Sequence, residues 1–238
     1  MNNEELRYTQ LRKLGQELHI PIPEAFWELE VFDREGTLIH RHKQRSHSWV
    51  RNAYNLLFCQ LASKDASNST YGAGYVNGKE TDGTLRYGAG ILSIARYHSD
   101  SVDATDYGYR APAGVDTRGI MVGSGTNAES FEDYVLQTKI ANGTGAGQLS
   151  YIQSEAHSIT YDAANKILKN SLIRYFNNNS GGNVSVNEVG LVWCTYRPGS
   201  SSYAAYFLAS RDKLATTVTV PNTGQLKVTY SIQLTYPA

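Results

Sequence analysis

The sequence predicts a mainly β fold: an antiparallel β-sandwich, jelly-roll-like, with one or two covering helices and an N-terminal helical arm. Three observations predict it. From Gln225 to Tyr236, the residues Leu226, Val228, Tyr230, Ile232, Leu234 and Tyr236 alternate with Lys227, Thr229, Ser231, Gln233 and Thr235, the period-two pattern of a strand with one apolar face. Three further strand-like runs, 184–193, 203–209 and 217–221, precede it. Together they read as four strands of one antiparallel sheet, half of a sandwich. Turn residues separate them, Pro198-Gly199 in one gap and Asn222-Thr-Gly224 in another, as hairpin-linked strands require.

The elements follow in chain order. Residues 3–18 read as a short helix with Leu11, Leu14 and Leu18 on one face and Leu6 near it. Such a helix is marginal alone and needs a surface. That surface is either its own sheet or a neighbouring chain, and the sequence leaves both open. Ile20-Pro-Ile-Pro23 forces an extended path, so residues 1–24 read as an assembly arm carrying Leu6, Leu11, Leu14, Leu18, Ile20 and Ile22. Residues 25–238 read as the β domain, with no internal repeat and no clean boundary. Ala25–Phe32, the turn Asp33-Arg-Glu-Gly36 and Thr37–His42 form a hairpin. Ser46 and Ser48 offer helix-capping hydroxyls before an amphipathic run of Val50, Ala53, Tyr54, Leu57, Phe58 and Leu61.

Residues 63–118 are a loop-rich excursion dominated by Gly, Ser, Asp, Asn and Tyr, with Gly90–Ala95 its one buried-strand pattern. Its tyrosines, among them Tyr71, Tyr75, Tyr87, Tyr107 and Tyr109, offer flat apolar area with a polar tip. They suit an interface or sugar stacking, or simply cover their own core. Beyond it, Gly119–Gly123 reads as a strand, Glu129–Leu136 as one or two helical turns, and 148–152, 158–161 and 171–176 as strands.

Charge and chemistry narrow the function. The 22 basic and 22 acidic residues cancel, so the whole chain has no general attraction to nucleic acid or anionic membrane. Between Gly36 and Lys64 there is no acid, and Arg41, Lys43, Arg45 and Arg51 form a basic stretch suited to an acidic partner surface or a polyanion. His40, His42 and His47 lie close together without a nearby acid or Cys, so no metal site is expected. Gly72-Ala-Gly74, Gly123-Ser-Gly125 and Gly143-Thr-Gly145 lack the phosphate-loop context and read as turns. Arg211-Asp212 reads as a local ion pair or turn. No catalytic constellation and no cofactor motif stands out. Two cysteines, Cys59 and Cys194, read as buried thiols rather than a disulfide framework. The sequons at Asn68, Asn142 and Asn183 read as chance, with no signal peptide and no membrane span expected.

The order of short patterns carries a resemblance. Gly119-Ile-Met-Val-Gly-Ser-Gly-Thr is followed by Asp133-Tyr-Val-Leu136, Gln148-Leu-Ser-Tyr151 and Phe176-Asn-Asn-Asn-Ser-Gly. Then come Val186-Asn-Glu-Val-Gly-Leu191, Ala209-Ser-Arg-Asp212, Val218-Thr-Val-Pro and Leu226-Lys-Val-Thr-Tyr-Ser-Ile. Together with Asp33–Gly36 and Ser46–Asn52, this series resembles a class of tailed-bacteriophage structural proteins over residues 26–236. The resemblance implies a β-sandwich virion component of capsid, neck or tail, whose partners are itself and other virion proteins. It implies no catalytic residues and does not extend to residues 1–24 or the tyrosine-rich excursion. Two alternatives accompany it: a carbohydrate-binding module using the loop tyrosines, and a hydrolase on the same scaffold.

Overall fold

The computed structural model describes residues 3–62, 78–86, 108–196 and 204–237, with the side chains of 59–62, 86 and 196 outside the description. The chain opens with α1 (Asn3–Glu17), β1 (Ile22–Phe32), β2 (Leu38–Arg45) and α2 (Arg51–Ala62). Two short strands, β3 (Gly78–Lys79) and β4 (Leu85–Arg86), precede β5 (Gly119–Gly123), β6 (Ser150–Tyr151) and β7 (Ser158–Asp162). The long strands β8 (Ile167–Asn177), β9 (Val184–Tyr196), β10 (Ala204–Val220) and β11 (Gln225–Thr235) complete it. The protein is mainly β. One antiparallel sheet runs β2-β1-β11-β8-β6, with β7 also on β8; a second runs β10-β9-β5; β3 and β4 pair with each other.

The alternation read in Gln225–Tyr236 is real, but its sheet is not the expected one. The strand β11 lies between β1 and β8, in the opposite sheet from β9 and β10. Residues 221–224 are therefore a crossing between sheets and not a hairpin turn. Buried Asn178 fixes that crossing: its side-chain amide donates to the carbonyls of Gly182, Val220 and Pro221, at 2.8, 2.8 and 3.0 Å. Its own carbonyl accepts from Thr223 N, and its N–H donates to Gly224 O. Residues 204–209 and 217–220 of the two expected runs belong to one strand, β10, with irregularities at Leu208/Ser210 and Lys213/Val218 that let it bend.

Register orders the inner face of the larger sheet in rows. Val31, Leu226 and Phe176 stand side by side, then Leu29, Val228 and Arg174, then Trp27, Tyr230 and Leu172. All nine are buried, and all but Arg174 share one core cluster with Val189, Leu191, Trp193, Phe207 and Leu208 of the second sheet. Arg174 is fully buried among apolar rings, and burial lowers its pKa to about 10. Its guanidinium donates to the carbonyls of Ile152, Arg118, Ile120, Pro112 and Val115, so one side chain holds the incoming loop and β5 against β8.

Asp212 ties the two sheets together. The pair Arg211-Asp212 is not a local ion pair: adjacent strand residues face opposite ways, and each is buried in a separate cluster. Asp212 Oδ2 accepts from Trp27 Nε1 at 2.7 Å, Ser46 Oγ at 2.7 Å and Ser210 Oγ at 2.9 Å, and Oδ1 accepts from His47 N at 2.7 Å. Ser46 is thus spent on Asp212 and does not cap α2; the first helical N–H, of Arg51, instead donates to Phe131 O. On the other face, Arg211 bonds Glu188 and Asp133 at 2.7 and 2.8 Å. Residues 129–136 are turn and irregular backbone rather than helix: Arg211 holds Ala128 O and the Asp133 carboxylate, Glu188 holds Gln137 N, and Ser130 N donates to Asp133 Oδ2. The expected strand at Gly90–Ala95 lies outside the described residues.

The carboxylate of Asp212 faces only donors, and an amide there brings two donors of its own against them. Asp212→Asn keeps the volume and is expected to lower stability by about 2–4 kcal/mol. The measurement is the denaturant midpoint at unchanged slope; a loss below about 0.5 kcal/mol contradicts this role.

Candidate functional site

The arm is docked, and by an unexpected face. The first strand begins at Ile22, inside the stretch read as an arm, and β2 pairs with β1 only from Phe26 onward. The helix α1 lies near the start of β1, beyond the end of β2. Arg12 donates to Glu24 at 2.8 and 3.0 Å and to Glu5 at 3.2 Å. Arg45 pairs with Glu24 and, at 2.7 Å, with Glu5. Tyr8 lies on the Arg45 guanidinium, 3.8 Å from ring centre to carbon, and His47 Nε2 is 3.3 Å from Glu4. Gly15 is the buried residue of α1; a Cβ there sits 2.8 Å from the carbonyl oxygen of Ile20 and 2.7 Å from Ile22 Cγ1, so only glycine allows this approach.

The charges tune one another. Hydrogen bonds from Arg45 and then Arg12 hold the Glu5 carboxyl below its ordinary range. Burial pushes Glu24 up, but the bonds from Arg12 and Arg45 outweigh it, and its pKa ends lowered as well. Glu24 is almost completely enclosed, so these are not surface ion pairs of negligible worth.

With the charged side inward, the leucines face out. Leu6, Leu11, Leu14, Leu18 and Ile20 are 47, 42, 49, 57 and 52 % exposed. Both sequence alternatives are therefore partly met: the helix sits on its own domain, yet its apolar face has no partner among the described residues. Ile22 leaves the set, since it is a half-buried strand residue packed on Gly15.

The basic stretch does not form a free cationic patch. Arg41, Lys43 and Arg45 alternate onto one face of β2, opposite Glu30, Glu28 and Phe26 of β1. Arg41 donates to Glu28 through Nε at 2.6 Å, Lys43 stands 5.2 Å over the Phe26 ring, and Arg45 joins the α1 cluster. Arg51, opening α2, pairs with Glu132 and stacks on Phe131 at 5.4 Å. The acids that neutralise the stretch come from β1, α1 and residue 132, which is why local composition suggested an excess.

Among the loop tyrosines, Tyr71, Tyr75, Tyr87 and Tyr107 lie outside the described residues. Tyr109 turns inward: its ring centre is 6.3 Å from that of Trp193, it packs on the core, and burial raises its pKa. It lines an apolar groove of about 320 Å³ with Trp49, Leu57, Leu191, Tyr230 and Ile232. The groove runs beside α2, whose Ala53 and Leu56 pack on the core while Tyr54, Leu57 and Phe58 are exposed. At its wall, Trp49 Nε1 donates to Tyr230 Oη at 2.8 Å, and burial pushes the Tyr230 hydroxyl up to about 12.

Elsewhere the chemistry is internal. Gly125, Gln137 and Thr138 point their backbone N–H groups at the buried carboxylate of Glu188, so the Gly123-Ser-Gly125 turn cradles the protein's own anion. Sequence reading missed Glu188 and Arg174 and took Asp212 for part of a local pair or turn; a charge inside an apolar strand, as in Val186-Asn-Glu-Val189, was the available signal. His42 contacts Gln44 and Thr216. Among the described residues no group of three or more His, Cys, Asp or Glu could hold a metal, and no helix is long and apolar enough to cross a membrane. Cys194 is a buried free thiol, and the Cys59 side chain lies outside the description.

Compared with known proteins, the chain matches no family model, and neither curated proteins nor solved structures give a significant match.

The anchoring of α1 depends on pH with a definite sign. Glu5 and Glu24 have depressed folded pKa values, so their contribution is complete above the ordinary carboxylate value of 4.5 and is lost as pH falls through the folded values. Hydrogen exchange should show α1 amides protected at neutral pH and released in acid, before the strands. Glu24→Gln should lower that protection at least ~10-fold already at neutral pH, because it leaves Arg45 buried without its main partner. Unchanged protection in the variant contradicts the latch.

Proposed function

We propose that this chain is a structural virion protein of a tailed phage, acting by assembly with itself and with other virion proteins as an accessory component of capsid, neck or tail. In this reading the two sheets are a β-sandwich of jelly-roll-like kind that supplies rigidity, and the N-terminal helix supplies the contact. The observation that carries it is the N-terminal segment: α1 is fastened by its charged side, and five large apolar side chains, Leu6, Leu11 and Leu14 on the helix with Leu18 and Ile20 just after it, are turned to solvent. Apolar area of that extent rimmed by polar residues marks protein contact surfaces. The order of sequence patterns described above supports the phage setting. The reading assigns the protein no catalysis and no cofactor. Electrical neutrality of the whole chain and the paired state of Arg41 and Arg45 favour protein partners over nucleic acid.

The glycan-binding alternative loses one of its residues, since Tyr109 is packed inward. Its other tyrosines lie outside the described part.

The test is the triple substitution L11E/L14E/L18E. These positions are exposed, so thermal stability should change by no more than about 0.5 kcal/mol. Self-association, measured by light scattering and sedimentation, should be abolished. A variant that keeps the wild-type oligomer sinks the assembly role of the helix.

A further inference from the structure

The inner face of the larger sheet continues beyond the residues that are buried on it. Its inner-face rows continue past Trp27, Tyr230 and Leu172. The next row is Ala25, Ile232, Asn170 and Ile159, and the last is Pro23, Leu234, Leu168 and Tyr161. Side chains on one row share a face, so Ile159 and Tyr161 stand on the side that forms the core further up. There the cover runs out: Ile159 is 68 % exposed, Tyr161 60 %, Leu168 37 % and Tyr236 41 %. All five residues of β7 are exposed, and among the described residues β7 pairs only with β8. The shelf leads into the apolar groove through Ile232, which lines both that groove and a smaller cavity beside His157 and Asn170.

We infer that this uncovered shelf is the seat for the leucine face of α1 from a second copy of the chain. The inference rests on the assembly reading and names its interface. The chain's own helix is held at the Glu24–Arg45 corner with Gly15 against Ile22, and its leucines are exposed there, so the occupant comes from another molecule. The areas match. The three leucines of α1 with Leu18 and Ile20 just after it present, at their observed exposures, on the order of 450 Å² of apolar surface, and Ile159, Tyr161, Leu168 and Tyr236 present about the same. A standard interface of ~800 Å² per partner, roughly 57–65 % apolar, needs that much from each side. Both surfaces are apolar where a solvent-facing helix side and an edge strand are normally guarded by charge. Because the two faces differ, one contact leaves a helix and a shelf unused, which either close on each other in a reciprocal twofold pair or bind further copies in a ring or filament.

The experiment uses the full chain and two variants, L14E/L18E on the helix and I159E/Y161E on the shelf, with unfolding midpoints confirming that each is folded. Sedimentation velocity is run on each and on an equimolar mixture. The wild type should associate, and each variant alone should be monomeric, at least ~100-fold weaker in self-association. The mixture should form a one-to-one dimer and stop there, since it contains one intact helix face and one intact shelf per pair. If the shelf variant associates like the wild type while the helix variant does not, this inference is overturned and the assembly reading stands. A mixture that stays monomeric shows that an intact helix face does not dock on an intact shelf, and also overturns it. A wild type that is monomeric at its highest soluble concentration overturns both.

Discussion

The buried carboxylate of Asp212 is the constraint around which the two sheets are arranged. A charge taken out of water costs several kcal/mol unless polar groups replace its hydration. Here the replacement is a ring of four donors from three places: Trp27 on β1, Ser46 and His47 after β2, and Ser210 on β10. Satisfying that one group sets the distance between β1 and β10, fixes the path after β2, and brings Trp27 against Tyr230 at 4.2 Å between ring centres. One position earlier, Arg211 does the corresponding work outward, where it meets Glu188 and organises residues 123–138. Two adjacent charges of opposite sign, on opposite faces of one strand, thus fasten the second sheet on both sides.

The same division of labour appears at the N-terminus with its sense reversed. An amphipathic helix of a globular domain ordinarily buries its apolar stripe. In α1 the acids, Arg12 and Tyr8 meet the domain, and the leucines do not. Ion pairs around a nearly enclosed Glu24 are directional, so they orient the helix as well as hold it. The arrangement presents an apolar face in a fixed pose at no cost in core packing. It also makes that pose sensitive to acid, through carboxylates whose charged form the two arginines favour.

At the far end of the larger sheet, Ile159, Tyr161 and Leu168 continue the core face beyond its cover. The posed helix and the uncovered shelf are the two surfaces on which the proposed assembly rests. The groove beside α2, bounded by Trp49, Tyr109 and Ile232, adjoins the shelf and extends the apolar surface toward the second helix.

Period and punctuation in the sequence determined the elements: the strand at 225–236, the hairpin after Asp33, the helix at 3–17 and its leucine stripe all follow from local spacing. They follow because backbone geometry alone decides which side chains share a face. Tertiary structure alone decided the rest. It placed β11 in the opposite sheet from β9 and β10, neutralised Arg41 and Arg45, turned Tyr109 inward, and set the leucine face outward. Each outcome depends on a partner far along the chain: Asp212 lies 185 positions from Trp27, and Arg45 is 40 from Glu5. A pattern of period two or 3.6 states that a face is apolar or charged. Which face is satisfied internally depends on what distant residues the fold brings against it, and at α1 the charged face had the better partners.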